Sequence, residues 1–356
     1  MDFGVGLIFP GKLDSDQRVY REQVALARTA EDLGYDSVWV TEHHFSSYQM
    51  TPDPLQLQTY IAGATKRIKL GTNAVILPWN DPTRVAERIS ILDNLSDGRF
   101  LLGIGRGLGV LEFEGLAIPM AESRGRFVES AAMVRDALES GFIESKGDFY
   151  PRERREIRPR PIKGFAGRRW AVAVSPESFG TVAELGFGLL CQPQKKWSVI
   201  ERDTAGFWAA HESIHGVPPI PSVTCAFVYC DADPVKARDE GQRLIGEYHD
   251  EVSDFYGLAG DGFANKPGYE FYAKGAQRAQ QAGQDVARDF YVSVQVYGTP
   301  DECMEKIAEL RKATRCGTFV GNFHYASLDA EQAKGQLRLF AEEVIPRLRP
   351  LPKQVA

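Results

Sequence analysis

The sequence predicts one α/β domain spanning 1–356, a (β/α)8 TIM barrel with insertions after the fourth and seventh helices. Three observations predict it. Short apolar runs alternate with amphipathic segments along the whole chain. The connections inside the units are short, as parallel strands joined by crossover helices require. No Gly-x-Gly-x-x-Gly follows the first strand, where the chain reads Phe9-Pro10-Gly11-Lys12, and this disfavours an open doubly wound sheet.

Phe3 to Phe9 is the first strand. Tyr20, Val24 and Ala27, with Leu26, Ala30 and Leu33, recur at helical spacing between Gln17 and Leu33, and Gly34 is the stop signal. Asp36–Thr41 reads as the second strand, Pro54–Thr65 as the second helix, and Ile68–Leu77 as the third strand. Val85, Ile89 and Leu92 mark a third helix closed by Asp97-Gly98. Phe100–Ile104 is the fourth strand. Phe127, Ala131, Val134 and Leu138 then give a long amphipathic helix.

Residues 141–168 break the rhythm. Arg152, Arg154, Arg155, Arg158 and Arg160 among prolines are too polar for a core element and predict a surface hairpin or extended insertion, its face solvated in preference to docking an acidic partner. The pattern resumes with a strand at Trp170–Val174, a helix at Pro176–Leu185, a strand at Phe187–Cys191 and a helix over about Val199–Ile214. Val223–Cys230 is the seventh strand, and Asp233-Pro234 opens the seventh helix with an N-cap and a Pro at N1. Residues 250–290 read as irregular and hold Phe255, Tyr256, Phe263, Tyr269, Phe271 and Tyr272. Long loops of that kind are usually lids over an apolar ligand. Thr299-Pro300-Asp301-Glu302 is a capping box. Thr318–Phe323 is the eighth strand, and a helix from Asp329 to Ile345 closes the set.

A hydrophobic fraction of 43% supplies a sizeable core, and a net charge of −6 argues against a nucleic-acid partner. The five cysteines include no Cys-x-x-Cys pair, so neither a zinc site nor a disulfide framework is expected. No apolar run suits a membrane span, and the N-terminus reads as a strand and not a signal peptide, which predicts a cytoplasmic protein.

In such a barrel the strands' C-terminal loops form the active face. That face collects Glu42, His43 and His44 after the second strand, Asn73 and Trp79 at or beyond the third, and Arg106 with Gly107 after the fourth. Ser175 and Ser178 follow the fifth strand, and His324 follows the eighth. Ser175-Pro176-Glu177-Ser178 is a capped helix start whose first N–H groups, at 177 and 178, suit a phosphate dianion. Gly103-Ile104-Gly105-Arg106-Gly107 places one guanidinium among glycines on the neighbouring strand, where it can grip the same anion. Two adjacent His side chains diverge on a strand, so no metal site is expected from them.

These stretches carry a resemblance. The chain resembles the bacterial luciferase-like family of flavin-dependent monooxygenases over nearly its whole length. The carrying residues are Asp36 through Phe45, Lys69-Leu70-Gly71-Thr72-Asn73-Ala74 with Leu77-Pro78, and Leu92-Asp93 through Phe100. Gly103 through Gly107, Ser175 through Ser178, and Gly298 through Glu302 complete them. The resemblance implies a (β/α)8 barrel that binds FMN, usually as a homodimer packed through its early helices. It implies phosphate binding by Arg106, Ser175 and Ser178, a backbone contact to the flavin from Leu108, and a non-prolyl cis peptide at Asn73–Ala74 beneath the ring. It makes His43 the catalytic histidine, with His44 as its orienting neighbour and Glu42 fixing a tautomer.

The implied reaction is that of a two-component monooxygenase. A separate NAD(P)H:flavin reductase supplies FMNH2, which reacts with O2 through a flavin C4a-hydroperoxide to oxygenate a largely apolar organic substrate. Trp79 and His324 are candidate substrate contacts. The chain departs from luciferases at Gly105, where those enzymes carry a reactive Cys, and at Ser175-Pro176, where they carry Glu-Ser. Both departures are common in non-luminescent relatives. A deazaflavin-dependent dehydrogenase and a non-catalytic flavin-binding protein are the alternative readings, with a metal-dependent barrel hydrolase using His43, His44 and carboxylates a weaker third.

Overall fold

The computed structural model describes residues 1–11, 15–257, 262–264 and 266–349. Eight parallel strands close on themselves: β1 (Asp2–Leu7), β2 (Ser37–Val40), β3 (Lys69–Thr72), β4 (Phe100–Gly105), β5 (Arg169–Val172), β6 (Gly188–Cys191), β7 (Ser222–Cys230) and β8 (Cys316–Asn322). Every neighbouring pair is parallel. Pairing of Val223 with Leu190 and of Thr224 with Cys191 joins β7 to β6, and Gly4 with Val320 joins β1 to β8. All eight strands fall where the alternation of apolar runs predicts them.

The helices around the barrel are α1 (Asp16–Asp32), α2 (Pro54–Ala64), α3 (Pro82–Leu95), the short α4 (Val110–Gly115), α5 (Ser123–Ser140), α6 (Pro176–Leu185), α7 (Trp197–His215), α8 (Pro234–Tyr256), α9 (Glu270–Ala282), α10 (Gln284–Ser293), α11 (Pro300–Thr314) and α12 (Ala330–Leu339). Their starts are written in local chemistry. Asp81 accepts from the N–H groups of Thr83 and Arg84 at the head of α3, and Asp233 from those of Val235 and Lys236 at α8. Thr299 and Glu302 form the reciprocal capping box of α11. None of the helices among the described residues is long and apolar enough to cross a membrane.

The barrel's interior is plugged by two indoles. Trp39 and Trp170 meet edge to face at 6.1 Å, with Leu190, Val223, Cys225 and Val320 packed around them. Glycines leave the room: a Cβ at Gly71 would lie 2.3 Å from the Trp39 ring, and one at Gly188 would lie 2.6 Å from that of Trp170. This layer is the floor on which anything bound at the C-terminal face must rest.

One inserted region has the form the sequence reading allows, and a second differs from it. The 141–168 insertion is a two-stranded antiparallel hairpin, Phe142–Ser145 with Arg152–Glu156. One face is buried all the same: Ile143, Tyr150 and Ile157 pack on Ala86, Met133 and Ala137. Its outer arginines pair with Glu144, Glu153 and Glu156, leaving a self-neutralised solvated surface. The span 250–290 is helical over most of its described length. α8 runs on to Tyr256 because its buried positions Leu244, Ile245 and Tyr248 continue at helical spacing through Val252 and Phe255. Gly283, at φ +95°, separates α9 from α10. Residues 258–261 and 265 of the expected lid lie outside the described residues.

Candidate active site

A cavity of about 1120 Å³ opens at the C-terminal face, floored by Trp39. It exceeds the ~300–1,000 Å³ of an ordinary small-molecule pocket, so there is room for a cofactor and a second molecule. Glu42, His43, Asn73, Ala74, Trp79, Arg106, Gly107, Leu108, Ser175 and Ser178 all line it. His44 and His324 do not.

The phosphate-sized corner is built where β4 and β5 end. The Arg106 guanidinium donates from Nη2 to the Gly268 carbonyl at 2.9 Å and lies 4.0 Å over the Tyr269 ring. Its Nη1 is buried with no hydrogen-bond partner among the described residues. A buried unpaired guanidinium nitrogen costs free energy unless a ligand acceptor meets it. Arg124, whose guanidinium also approaches Gly268, lines the same corner. Sequence reasoning missed it because nothing around it marks a motif.

Opposite the arginines, Ser175 caps α6 in extended geometry without a side-chain capping bond. Ser178 is more engaged than expected. Its hydroxyl donates to the Ser175 carbonyl at 2.6 Å and accepts from the Val174 N–H, and its own N–H donates to the Ser175 carbonyl at 3.0 Å. The helix start therefore offers the Glu177 N–H and the Ser175 hydroxyl more freely than the 178 donors. Gly107, at φ +86°, turns the chain where a Cβ would lie 2.9 Å from Trp79 and Ile76.

In the middle of the cavity β3 breaks off at Asn73–Ala74, whose peptide bond is cis. The Asn73 amide donates to the Cys225 thiol sulfur at 3.0 Å, and its Oδ1 is buried without a partner among the described residues. The Trp79 indole N–H is likewise buried and unpaired. Donor and acceptor groups left open beside the cavity suit a heteroaromatic ring with its own polar edge.

The other corner lies beyond β2. Glu42 does not touch His43. Its carboxylate accepts from the Ile76 N–H at 2.7 Å and the Asn80 amide at 2.9 Å, and it pairs with His44 Nε2 at 3.3 Å. Burial pushes the Glu42 carboxyl above its ordinary range, against the opposing pull of those hydrogen bonds. His44 turns away and meets Trp79 edge to face at 5.4 Å. His43 is instead surrounded by Glu112, Tyr48 and Tyr256, which lie 3.2, 3.0 and 3.2 Å from its Nδ1. His44 is thus not the orienting neighbour, because successive side chains leave the strand end on opposite sides.

Burial raises both the Tyr48 and Tyr256 phenols well above their usual range, so both keep their protons at neutral pH. None of these three partners stands in a recognisable motif. A Glu on the apolar side of Val110-Leu111-Glu112-Phe113 was the available signal.

His324 is a correction. It is 1% exposed, and its Nδ1 meets the Gln23 amide at 2.7 Å. β8 ends at Asn322, which takes the inward position, and the chain then turns His324 out against α1. Among the described residues no cluster of three or more His, Cys, Asp or Glu side chains could hold a metal ion.

Comparison with known proteins identifies the family and supports the fold. A family model described as luciferase-like monooxygenase matches residues 1–315. The alkanal monooxygenase alpha chain of Photorhabdus luminescens is 26% identical over 343 residues, covering 94% of each chain. Monooxygenase RslO1 from Streptomyces bottropensis shares the fold with a TM-score of 0.81 at 24% identity, covering 98% of this chain and 100% of the other. The oxygenating constituent of the Pseudomonas putida 3,6-diketocamphane monooxygenase, a type II Baeyer–Villiger enzyme solved with FMN, has a TM-score of 0.74 at 21% identity, covering 99% and 100%. An F420-dependent secondary alcohol dehydrogenase solved with an F420–acetone adduct also has a TM-score of 0.74, at 17% identity, covering 98% and 99%. At such identities a structural likeness speaks for the fold alone.

Proposed function

This chain belongs to the luciferase-like monooxygenase family, and on that premise we propose that it is an FMN-dependent monooxygenase acting on a largely apolar organic substrate. Reduced FMN comes from a separate NAD(P)H:flavin reductase, and O2 is the co-substrate. The observation that carries the reading is the buried, unpartnered Arg106 Nη1 beside Arg124 and the start of α6. That donor set matches a phosphate monoester.

Arg106, Arg124 and Ser175 would hold the phosphate, with Ser178 shaping the helix start. The Gly107–Leu108 backbone, Asn73 and Ala74 would hold the ring. Bound reduced flavin supplies the electrons that activate O2. The chain supplies dryness and proton handling. Tyr48, Phe227, Tyr248 and Tyr256 close the cavity with apolar surface that excludes water and receives the substrate. His43 moves the proton at its ring nitrogen, a task suited to imidazole near neutral pH.

The protein works as a homodimer in the cytoplasm. Tyr60 on α2, with Ile91 and Leu95 on α3, leaves large apolar side chains exposed on neighbouring early helices, as an unpaired interface would.

Mixing the protein and reduced FMN with O2 in a stopped-flow instrument tests the reading. The return of oxidised-flavin absorbance should be much slower than for free FMN. Reoxidation at the free rate removes the monooxygenase. The runner-up, a deazaflavin-dependent hydride-transfer dehydrogenase, is kept open by the F420-dependent fold neighbour. It is favoured if the protein binds that cofactor more tightly than FMN and turns over without O2. Tight FMN binding with no effect on reoxidation is the mark of a non-catalytic flavin binder.

A further inference from the structure

We propose that Glu112 is a positioning residue that holds the His43 imidazole with its proton on Nδ1, presenting Nε2 to the cavity as the free base. The inference rests on the reading above, because it takes His43 as the proton-moving group.

Glu112 is fully buried on α4, yet among the described residues no lysine or arginine pairs with it and its ion-pair partner is His43. Burying an isolated carboxylate is expensive, so its presence calls for a specific use. Its Oε1 accepts from the His44 backbone N–H at 2.9 Å and stands 3.2 Å from His43 Nδ1. An ionised carboxylate can only accept, so the proton between them sits on Nδ1. The Tyr48 and Tyr256 hydroxyls fill the rest of the surroundings of that nitrogen, and Tyr48 donates onward to Tyr256 at 3.1 Å. Among the described residues Nε2 has only the Tyr48 hydroxyl, at 3.5 Å, and its lone pair is left for a reactant in the cavity that His43 lines.

Two details separate this from a bracing carboxylate. Glu112 Oε2 is buried with no partner among the described residues, whereas a carboxylate recruited to tie a loop would be expected to satisfy both oxygens. The chain also makes room for it: a Cβ at position 109 would fall 2.2 Å from Oε2 and 3.0 Å from the Tyr256 ring, and Gly109 has none. The other titratable groups nearby, Glu42 and His44, are spent on each other. In the proton step, an O–H or N–H of the bound reactants gives its proton to Nε2. The imidazolium so formed is stabilised by the adjacent carboxylate, and it returns the proton to product or water.

Histidine 15N NMR of the flavin-free protein, with the His43 signals assigned by His43→Gln, reads the tautomer directly. The Nδ1–H form in the native protein is expected, and the Nε2–H form overturns the proposal. Glu112→Gln should shift the His43 signals toward a tautomer mixture. It should lower kcat about 10- to 100-fold, within the range for misplacing a general base, while the FMN Kd and substrate KM stay nearly constant. Glu112→Asp should recover part of kcat. An unchanged spectrum and an unchanged kcat in Glu112→Gln contradict the proposal. Should that variant fail to fold, the native spectrum still decides. Because the tautomer is read without flavin, Nδ1–H protonation with no reaction toward reduced FMN sinks the proposed function and leaves the positioning intact.

Discussion

The two corners of the cavity are built on opposite principles. At the ends of β4 and β5, Arg106 keeps one buried donor unpaired and Arg124 stands beside it, so the corner is completed only by something that enters it. Beyond β2, His43 is enclosed by three partners within 3.2 Å of one nitrogen, and the arrangement exists before any ligand arrives. An unfilled corner binds, and a corner whose contacts already converge on one ring nitrogen pre-aligns a proton carrier. Catalysis gains from the second because its groups need no reorganisation in the transition state.

Mutations should separate the corners. The largest effect is expected for His43→Ala, which should lower turnover by about 100- to 10,000-fold, the span of a lost general base. FMN affinity measured by fluorescence quenching should barely move, and a parallel loss of both would erase the distinction. Arg106→Ala should weaken FMN by about 10- to 100-fold, as losing a charge-assisted hydrogen bond does, while riboflavin binding changes little. Equal losses for the two flavins would put the phosphate elsewhere.

Tyr256→Phe sharpens the picture of the His43 corner. Removing one neutral hydrogen bond of about 0.5–1.5 kcal/mol should reduce kcat roughly two- to tenfold without touching FMN binding. The smallest effect concerns Glu42, whose carboxyl burial holds above its ordinary range. Such a group favours the folded chain most below its unfolded-state value, and that contribution is lost as pH rises through the folded one. The Tm of Glu42→Gln relative to the native protein should therefore move in the variant's favour as pH rises from about 4, the ordinary carboxyl value, through the raised folded-state one. A constant difference would show that Glu42 does not titrate abnormally.

The barrel was readable because each strand is a contiguous apolar run and each helix keeps its period, so local pattern and global fold agree. Arg106, Ser175 and His43 were readable for a related reason, since each sits within a few residues of a strand end. Glu112 was not, because it reaches His43 from 69 residues away on a six-residue helix. Tyr256 reaches the same ring across 213 residues. Such pairings are made by closure of the barrel face and leave no trace in spacing. The helices across 250–290 were hidden by aromatic residues and glycines that read as a loop, although Leu244, Tyr248, Val252 and Phe255 keep helical spacing. His324 misled because a place just beyond the eighth strand does not by itself face the cavity, and the chain turns after Asn322.

The crystal structure of the complex with FMN tests the account most directly. It predicts a phosphate oxygen within hydrogen-bond distance of Arg106 Nη1, with the Ser175 hydroxyl and the start of α6 on its other side and the ring resting over Trp39 toward His43. A phosphate bound away from Arg106, with the Gly268–Tyr269 segment still covering that guanidinium, would contradict it.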